Sequence, residues 1–402
     1  LEALFEPRRE YKEKLGVKLT MIRTFNYPLR PTASQDLALE GVLLACQRLY
    51  NAALEQRRDA YRKQKKSVTK FDQMKDLTEL RKHDSDYSQV AATVLRSPLF
   101  RLDRAFQGFF RRIKSGQKPG FPRFKSRDRY NSFSFPCQPG IKVIKGNLVR
   151  VPSFGDVKFH CYRPLRGVAK ECHVRRTAKG WTLSVVCDLG AAPIKVSEVI
   201  ATTGIDVGLT HFATLANGEQ IENPRFYRKS EEILARRQQA LATKRKGSKS
   251  RLRAKRLVGR AHEHIRNQRL DFLRKLAKSL VLRYDLIAYE DLNIRGMVKS
   301  NLAKSINDAS WATFIACMSF KAEEAGKYIV PVNPRGTSQR CSGCDTVVKK
   351  TLSQREHLCG ACGLRLDRDH NAAINIEALG LSAVRQTLQG VGLTEACKGD
   401  QL

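Results

Sequence analysis

Two Cys-x-x-Cys pairs constrain this chain more than any other feature. Cys341-Ser342-Gly343-Cys344 and, after fourteen intervening residues, Cys359-Gly360-Ala361-Cys362 enclose a segment too short for an apolar core of its own. Four thiolates satisfy tetrahedral Zn²⁺, and a glycine in each knuckle eases the tight turn. Four protein ligands leave no open position for water, so one Zn²⁺ here would be structural. A disulfide or redox pair is the competing reading. Seven positions after Cys362 comes Asp369, within Asp367-Arg368-Asp369-His370-Asn371-Ala372-Ala373, where a helix begins.

Two further acids stand in apolar surroundings. Asp206 lies in Gly204-Ile205-Asp206-Val207-Gly208, and Glu290 closes the apolar run Leu286-Ile287-Ala288-Tyr289. An acid on a buried strand is expensive unless a cation or a partner compensates it. Hard cations such as Mg²⁺ take oxygen ligands and keep several waters, so a few carboxylates suffice. Two such ions about 4 Å apart activate water and stabilise the leaving oxygen of a phosphodiester. Asp206, Glu290 and Asp369 are therefore the candidate catalytic and Mg²⁺-binding residues, with Mn²⁺ an alternative ion. Singly, each acid is equally compatible with a surface turn or, for Asp369, a helix N-cap. Asp291, Asp367 and His370 are neighbouring alternatives.

Lys plus Arg is 74 against 39 Asp plus Glu, a net charge of +35 over 402 residues. Such a surplus opposes compactness unless a polyanion neutralises it, which points to nucleic acid. No apolar run of membrane-spanning length and no secretory signal stand out, so a membrane partner is not expected and a cytoplasmic location is. The other seven cysteines (Cys46, Cys137, Cys161, Cys172, Cys187, Cys317, Cys397) are scattered, as reduced thiols in a reducing compartment would be.

The periodicities divide the chain. Residues 1–20 read as an extension outside the fold, and 21–34 as a first strand and turn, where Thr32-Ala33-Ser34-Gln35 offers helix-capping chemistry. Apolar positions at three- and four-residue intervals make 35–118 a helical block. Short alternating strands, among them Ile141-Lys142-Val143-Ile144, make 119–198 a small β-barrel that the first strand joins. Strands followed by helices over 199–336 fit an α/β layer of ribonuclease H type, interrupted by the cysteine ribbon at 337–366 and completed by 367–380. A weakly patterned tail, 381–402, ends the chain. Basic runs over 228–275 include Arg228, Arg253, Arg256 and Arg269; they read as a phosphate-binding surface or as an ordinary solvated face. Gly120-Phe121-Pro122-Arg123-Phe124-Lys125 interleaves aromatics with Arg123 and Lys125, as single-strand binders do, or is a loop anchored by its rings. Trp181 and Trp311 are assigned to the core.

The ordered set of motifs resembles the TnpB family of transposon-encoded, RNA-guided DNA nucleases, relatives of the compact type V CRISPR effectors. The matching pieces run from Tyr27-Pro28-Leu29-Arg30-Pro31-Thr32 with Gln35, through Tyr50-Asn51 and Phe121-Pro122-Arg123-Phe124-Lys125, to Gly204-Ile205-Asp206-Val207-Gly208. They continue with Asn267-Gln268-Arg269-Leu270-Asp271-Phe272, Glu290-Asp291-Leu292, Thr337-Ser338-Gln339-Arg340-Cys341 and Asp367-Arg368-Asp369-His370-Asn371. The resemblance implies a multidomain α+β protein. A helical recognition lobe would be inserted in a wedge barrel, followed by a RuvC-like nuclease domain carrying an inserted zinc ribbon. It implies Asp206, Glu290 and Asp369 as the acids. It implies as partners a guide RNA from the transposon end, double-stranded target DNA and its displaced strand, with a monomer on the RNA. Base pairing would read the target while the protein reads a short adjacent duplex motif, near Lys70 and Arg96. A nuclease-silent regulator and a transposase acting directly on DNA are the alternative functions.

Overall fold

The computed structural model describes residues 20–137, 144–153, 155–191, 193, 194, 196, 198–351 and 354–390. The expected extension up to residue 19, most of a strand expected at 141–144, Cys397 and the last twelve residues lie outside these. The chain divides into two compact units, Leu1–Ala191 and Ala192–Leu402. Among the described residues no helix is long and apolar enough to cross a membrane.

In the first unit, β1 (Thr20–Arg30) is followed by four described helices, α1 (Ala33–Gln64), α2 (Lys70–His83), α3 (Ser85–Ser88) and α4 (Ala92–Lys114). The strands β2 (Ser132–Pro136), β3 (Ile144–Lys145), β4 (Leu148–Val151), β5 (Gly155–Phe159), β6 (Val168–Thr177) and β7 (Gly180–Ala191) come next. They form a seven-stranded sheet in the order β2-β6-β7-β1-β5-β4-β3. β1 lies at its centre, antiparallel to β7 and β5. Where a small barrel was expected, the described pairings give a sheet with β2 and β3 at its edges.

Local chemistry starts the helices where the sequence suggests. Thr32 and Gln35 form a capping box at α1, and the Gln35 amide also donates to Asp156 O at 3.0 Å. Two satisfied donors at a helix start fix where the chain leaves the sheet. The periodic residues Leu39, Val42, Leu43, Cys46, Leu49 and Tyr50 are buried together with Val94, Leu95, Leu99 and Leu102 of α4. Trp181 is buried there too, its indole donating to Asp36 Oδ1 at 2.5 Å.

The second unit opens with an antiparallel meander, β8 (Thr202–Val207), β9 (His211–Leu215) and β10 (Gln220–Glu222). The basic stretch then forms α5 (Phe226–Ala242) and α6 (Lys249–Arg283). β11 (Leu286–Glu290), α7 (Ile294–Met297), α8 (Ala303–Ala309), α9 (Trp311–Ala325) and β12 (Tyr328–Val332) follow. A ribbon hairpin, β13 (Glu356–Leu358) with β14 (Arg365–Asp367), leads into α10 (Arg368–Gly390). The main sheet has the order β10-β9-β8-β11-β12, with β11 parallel to both β8 and β12.

Each face of this sheet packs on different helices. Ile205, Phe212 and Ile287 share a core with Leu273, Ala277, Trp311, Phe314 and Met318 of α6 and α9. Leu286 and Ala288 share another with Ile376 and Val384 of α10. α10 comes close enough to β8 that a Cβ on Gly204 would lie 2.0 Å from Ala373 O and 2.4 Å from Glu377 N. Both obstacles are backbone, so Gly204→Ala is expected at the upper end of overpacking costs, about 3 kcal/mol. Denaturant unfolding of the variant measures it, and a loss below about 1 kcal/mol would mean that α10 can slide on the sheet.

The expected end of the nuclease segment at 380 falls inside α10, which continues to Gly390. Gly380, at that boundary, faces the sheet, where a Cβ would meet Ala288 Cβ at 2.4 Å. Its smallness serves helix-to-strand packing, a non-local demand that outweighs helix propensity.

Candidate nuclease centre and zinc ribbon

Period-two alternation sorts the side chains of β8 and β11. Ile205 faces α6 and α9, so Asp206 falls on the opposite face, toward α10. Glu290 sits two residues after Ala288, on that same face. The parallel register pairs Tyr289 with Ile205, so the next step sets Glu290 beside Asp206 at the carboxyl edge of the sheet. Asp369 enters from above, in the first turn of α10. The three acids are thus delivered by two neighbouring strands and one helix start.

The electrostatics agree with that placement. Asp206 is held well above the ordinary carboxylate range, first by burial and then by the like charges of Glu290 and Asp369. Glu290 is raised by burial, partly offset by the Thr337 hydroxyl, with Asp369 adding to the rise. Asp369 is paired with Arg368 at 3.1 Å and with Arg355 at 3.6 Å. A helix N-terminus also favours its negative charge. The alternatives sort themselves out. Asp367 Oδ1 accepts from the backbone of Asp369 (2.9 Å) and His370 (3.1 Å), so Asp367 carries the N-cap bonds and Asp369 does not. His370 donates through Nε2 to Ala216 O at 3.1 Å and packs on Gly218. Asp291 is exposed, just beyond β11.

The four cysteines converge. All four sulfurs lie within 4.8 Å of one another, with Cys341 to Cys362 at 3.6 Å and Cys344 to Cys359 at 3.5 Å. Tetrahedral Zn²⁺ with bonds of about 2.3 Å sets its sulfurs about 3.8 Å apart, so the cluster fits that ion. The two knuckles repeat one backbone device. Asp345 N donates to Cys341 O and Gly363 N to Cys359 O, each at 2.9 Å, and both donors have positive φ. Among the described residues no group of three or more carboxylates is drawn so tight.

A turn joins the ribbon to the acids. Arg340 N donates to Gly336 O at 2.9 Å. The Asn375 amide donates to Thr337 O and Arg340 O, both at 2.8 Å, and Asn371 donates to Arg340 O at 2.7 Å while accepting from Ser342 N at 3.0 Å. The Thr337 hydroxyl bonds Glu290 Oε1. Sequence reasoning assigned nothing to Thr337, Asn371, Asn375 or Arg355. Thr337 and Asn371 stand in matched motifs, which was the available signal.

The candidate nucleic-acid residues fare unequally. Arg96, Arg123, Arg253 and Arg256 are exposed. Arg253, Arg256, Lys249 and Arg260 line one groove on α6 with Leu252 and Leu257. Arg228 is exposed and loosely paired with Glu231 at 3.8 Å. Lys125 has its backbone pinned, its N donating to Asn51 Oδ1 at 2.9 Å and its O accepting from Asn51 Nδ2 at 3.0 Å. That explains the Tyr50-Asn51 motif as a clamp on the aromatic-basic loop. Phe121 packs edge-on against Phe106 and Phe109, yet it and Phe124 remain exposed. Two residues turn inward instead. Lys70 shares Asp103 with Arg57. Arg269 bonds buried Asp308 at 2.7 Å, and Asp308 also accepts from Tyr227 N. A cation so held serves the packing of α5, α6 and α8, so Arg269 is set aside as a phosphate contact.

A multidomain α+β protein with an acid-lined sheet edge and a tetrad of cysteines spaced for a metal is the class these features define. Its fold is shared with a solved "Cas12f1-sgRNA-target DNA complex", at a TM-score of 0.57 and 16% identity over 86% of this chain and 83% of that one. Family models match residues 185–301 ("Probable transposase", OrfB_IS605), 311–376 ("Cas12f1-like, TNB domain") and 21–66 ("Helix-turn-helix domain"). The last of these covers β1 and α1, a strand and one helix. A Streptomyces pristinaespiralis protein named "Putative RNA-guided DNA endonuclease" is 32% identical over 90% of both chains. The Escherichia coli K12 protein named "Putative RNA-guided DNA endonuclease InsQ" is 28% identical over 89% of this chain and 92% of its own. The chain belongs to the OrfB_IS605/TnpB family.

Proposed function

We propose that this protein is a transposon-encoded, RNA-guided DNA endonuclease that hydrolyses phosphodiesters of target DNA next to a short adjacent motif. The convergence of Asp206, Glu290 and Asp369 on one sheet edge carries the reading. The names borne by its relatives support it. In this reading the second unit is a RuvC-like, ribonuclease H-type nuclease domain interrupted by the ribbon. The first unit is a recognition lobe inserted in a wedge, and the whole works as a monomer on its guide RNA.

The chemistry follows from the donor types. Asp206, Glu290 and Asp369 offer oxygens to two Mg²⁺ or Mn²⁺ ions, which when bound activate water and stabilise the leaving oxygen. Asp206 is the most desolvated of the three and gains most from a cation. Arg355 and Arg368 neutralise Asp369. Cys341, Cys344, Cys359 and Cys362 hold one structural Zn²⁺. Arg123, Lys125, Arg228, Arg253 and Arg256 meet phosphates, and the exposed rings of Phe121 and Phe124 meet unpaired bases. Delegating sequence to base pairing explains why a strongly basic, weakly base-specific surface suffices.

The test is expression with native flanking DNA, sequencing of co-purifying RNA and challenge with a randomised-flank plasmid library in Mg²⁺. One discrete RNA with cleavage beside a fixed motif is expected. A discrete RNA with binding alone would indicate a silent regulator. Strand transfer without RNA would indicate the transposase that the OrfB_IS605 description names.

A further inference from the structure

The turn 336–340 lies between the two candidate metal sites, bonding Glu290 through Thr337 and directly preceding Cys341, a candidate zinc ligand. Thr337 within it is only 3% exposed and bonds Glu290 Oε1. Its hydroxyl also lies 3.1 Å from Pro334 O. One hydroxyl carries one proton, and a carboxylate outcompetes a neutral carbonyl for it. Asn375 fixes the Thr337 carbonyl, and Asn371 with Asn375 fixes that of Arg340. Asn371 and Asn375 are one turn apart on α10, the helix that carries Asp369. Glu290 is the last residue of its strand, and Asp291 N just beyond it donates to Val332 O at 2.9 Å, so the backbone there is fixed while the carboxylate is oriented by what its oxygens meet.

We propose that Thr337 is a positioning residue for Glu290, presenting one carboxylate oxygen bound and the other toward the metal. The asparagine-held turn makes the ribbon and α10 the frame for that contact. This inference rests on the nuclease reading, because it takes Glu290 to be a metal ligand. A hydrogen bond from outside the coordination sphere fixes ligand orientation, and its loss typically costs 10–100-fold in metal affinity. Valine replaces the hydroxyl of threonine by a methyl of nearly equal size, while serine keeps the hydroxyl.

Mn²⁺ titration by electron paramagnetic resonance, on the full-length zinc-loaded chain without nucleic acid, reads the effect directly. T337V is expected to weaken Mn²⁺ binding by about tenfold at unchanged zinc content, T337S to stay within about twofold of wild type, and E290Q to weaken it at least as much as T337V. Unchanged binding in T337V while E290Q is impaired would overturn this inference alone. Equal loss in T337S and T337V would also overturn it, since the hydroxyl would not be the cause. Unchanged binding in E290Q would remove Glu290 from the metal site, and with it both this inference and the carboxylate assignment.

Discussion

Replacing Asp206 by asparagine is expected to abolish DNA cleavage by more than about 10³-fold, while RNA-dependent DNA binding persists. Loss of a residue that merely orients a metal ligand costs about 10–100-fold, and Asp206 is proposed to be a ligand itself. The same change should raise the melting temperature of the metal-free protein at neutral pH. The sign follows from linkage. Burial first, and then the like charges of Glu290, Asp369 and Asp367, hold Asp206 well above its ordinary value. Between the unfolded and folded values the folded state binds the extra proton, so stability falls as pH rises through that window. Asparagine has no charge to desolvate and escapes the loss. Added Mg²⁺ should stabilise the wild type and leave D206N nearly unmoved, closing the gap. Calorimetry with and without Mg²⁺, beside a cleavage assay, checks both parts. Cleavage by D206N, or a lower metal-free melting temperature, would remove Asp206 from the centre.

What was legible in the sequence is what local rules determine. The Cys-x-x-Cys spacing predicts the knuckles, and both appear with the same backbone turn. The apolar neighbours of Asp206 and the apolar run before Glu290 predict strand-borne acids; Asp206 is the penultimate residue of β8 and Glu290 the last of β11. The capping chemistry at Thr32 predicts the start of α1. The misses depend on partners far along the chain. Arg269 looks like any cation in a basic run until Asp308, 39 residues later, claims it. Thr337 shows no local sign of its role until Glu290, 47 residues earlier, accepts its hydrogen bond. The weak patterning after 380 gives no sign that the helix runs on to Gly390 or that Gly380 packs on Ala288. The three-residue β10 is too short for alternation to register.

Cys341→Ser is expected to lower zinc content from one ion per chain to none and to unfold the ribbon locally. Zinc-linked folding free energies of isolated fingers are about 10–16 kcal/mol, and a segment with so little apolar core has nothing to replace them. The damage should spread along a definite path. Cys341 follows Arg340, whose carbonyl receives both Asn371 and Asn375. Releasing that end frees the turn bearing Thr337 and loosens the first turns of α10. Amide exchange should therefore accelerate across 337–367 and at the start of α10. The strands β8 and β11, buried against α6 and α9, should keep their protection. Cleavage should fall with zinc content even though no cysteine is proposed to touch a Mg²⁺ ion. A disulfide pair in place of the zinc site would behave oppositely, since the wild type would hold no zinc and reductant alone would open the ribbon. Exchange confined to the ribbon would break the proposed link to Glu290 and leave the zinc assignment standing, because the two depend on different bonds.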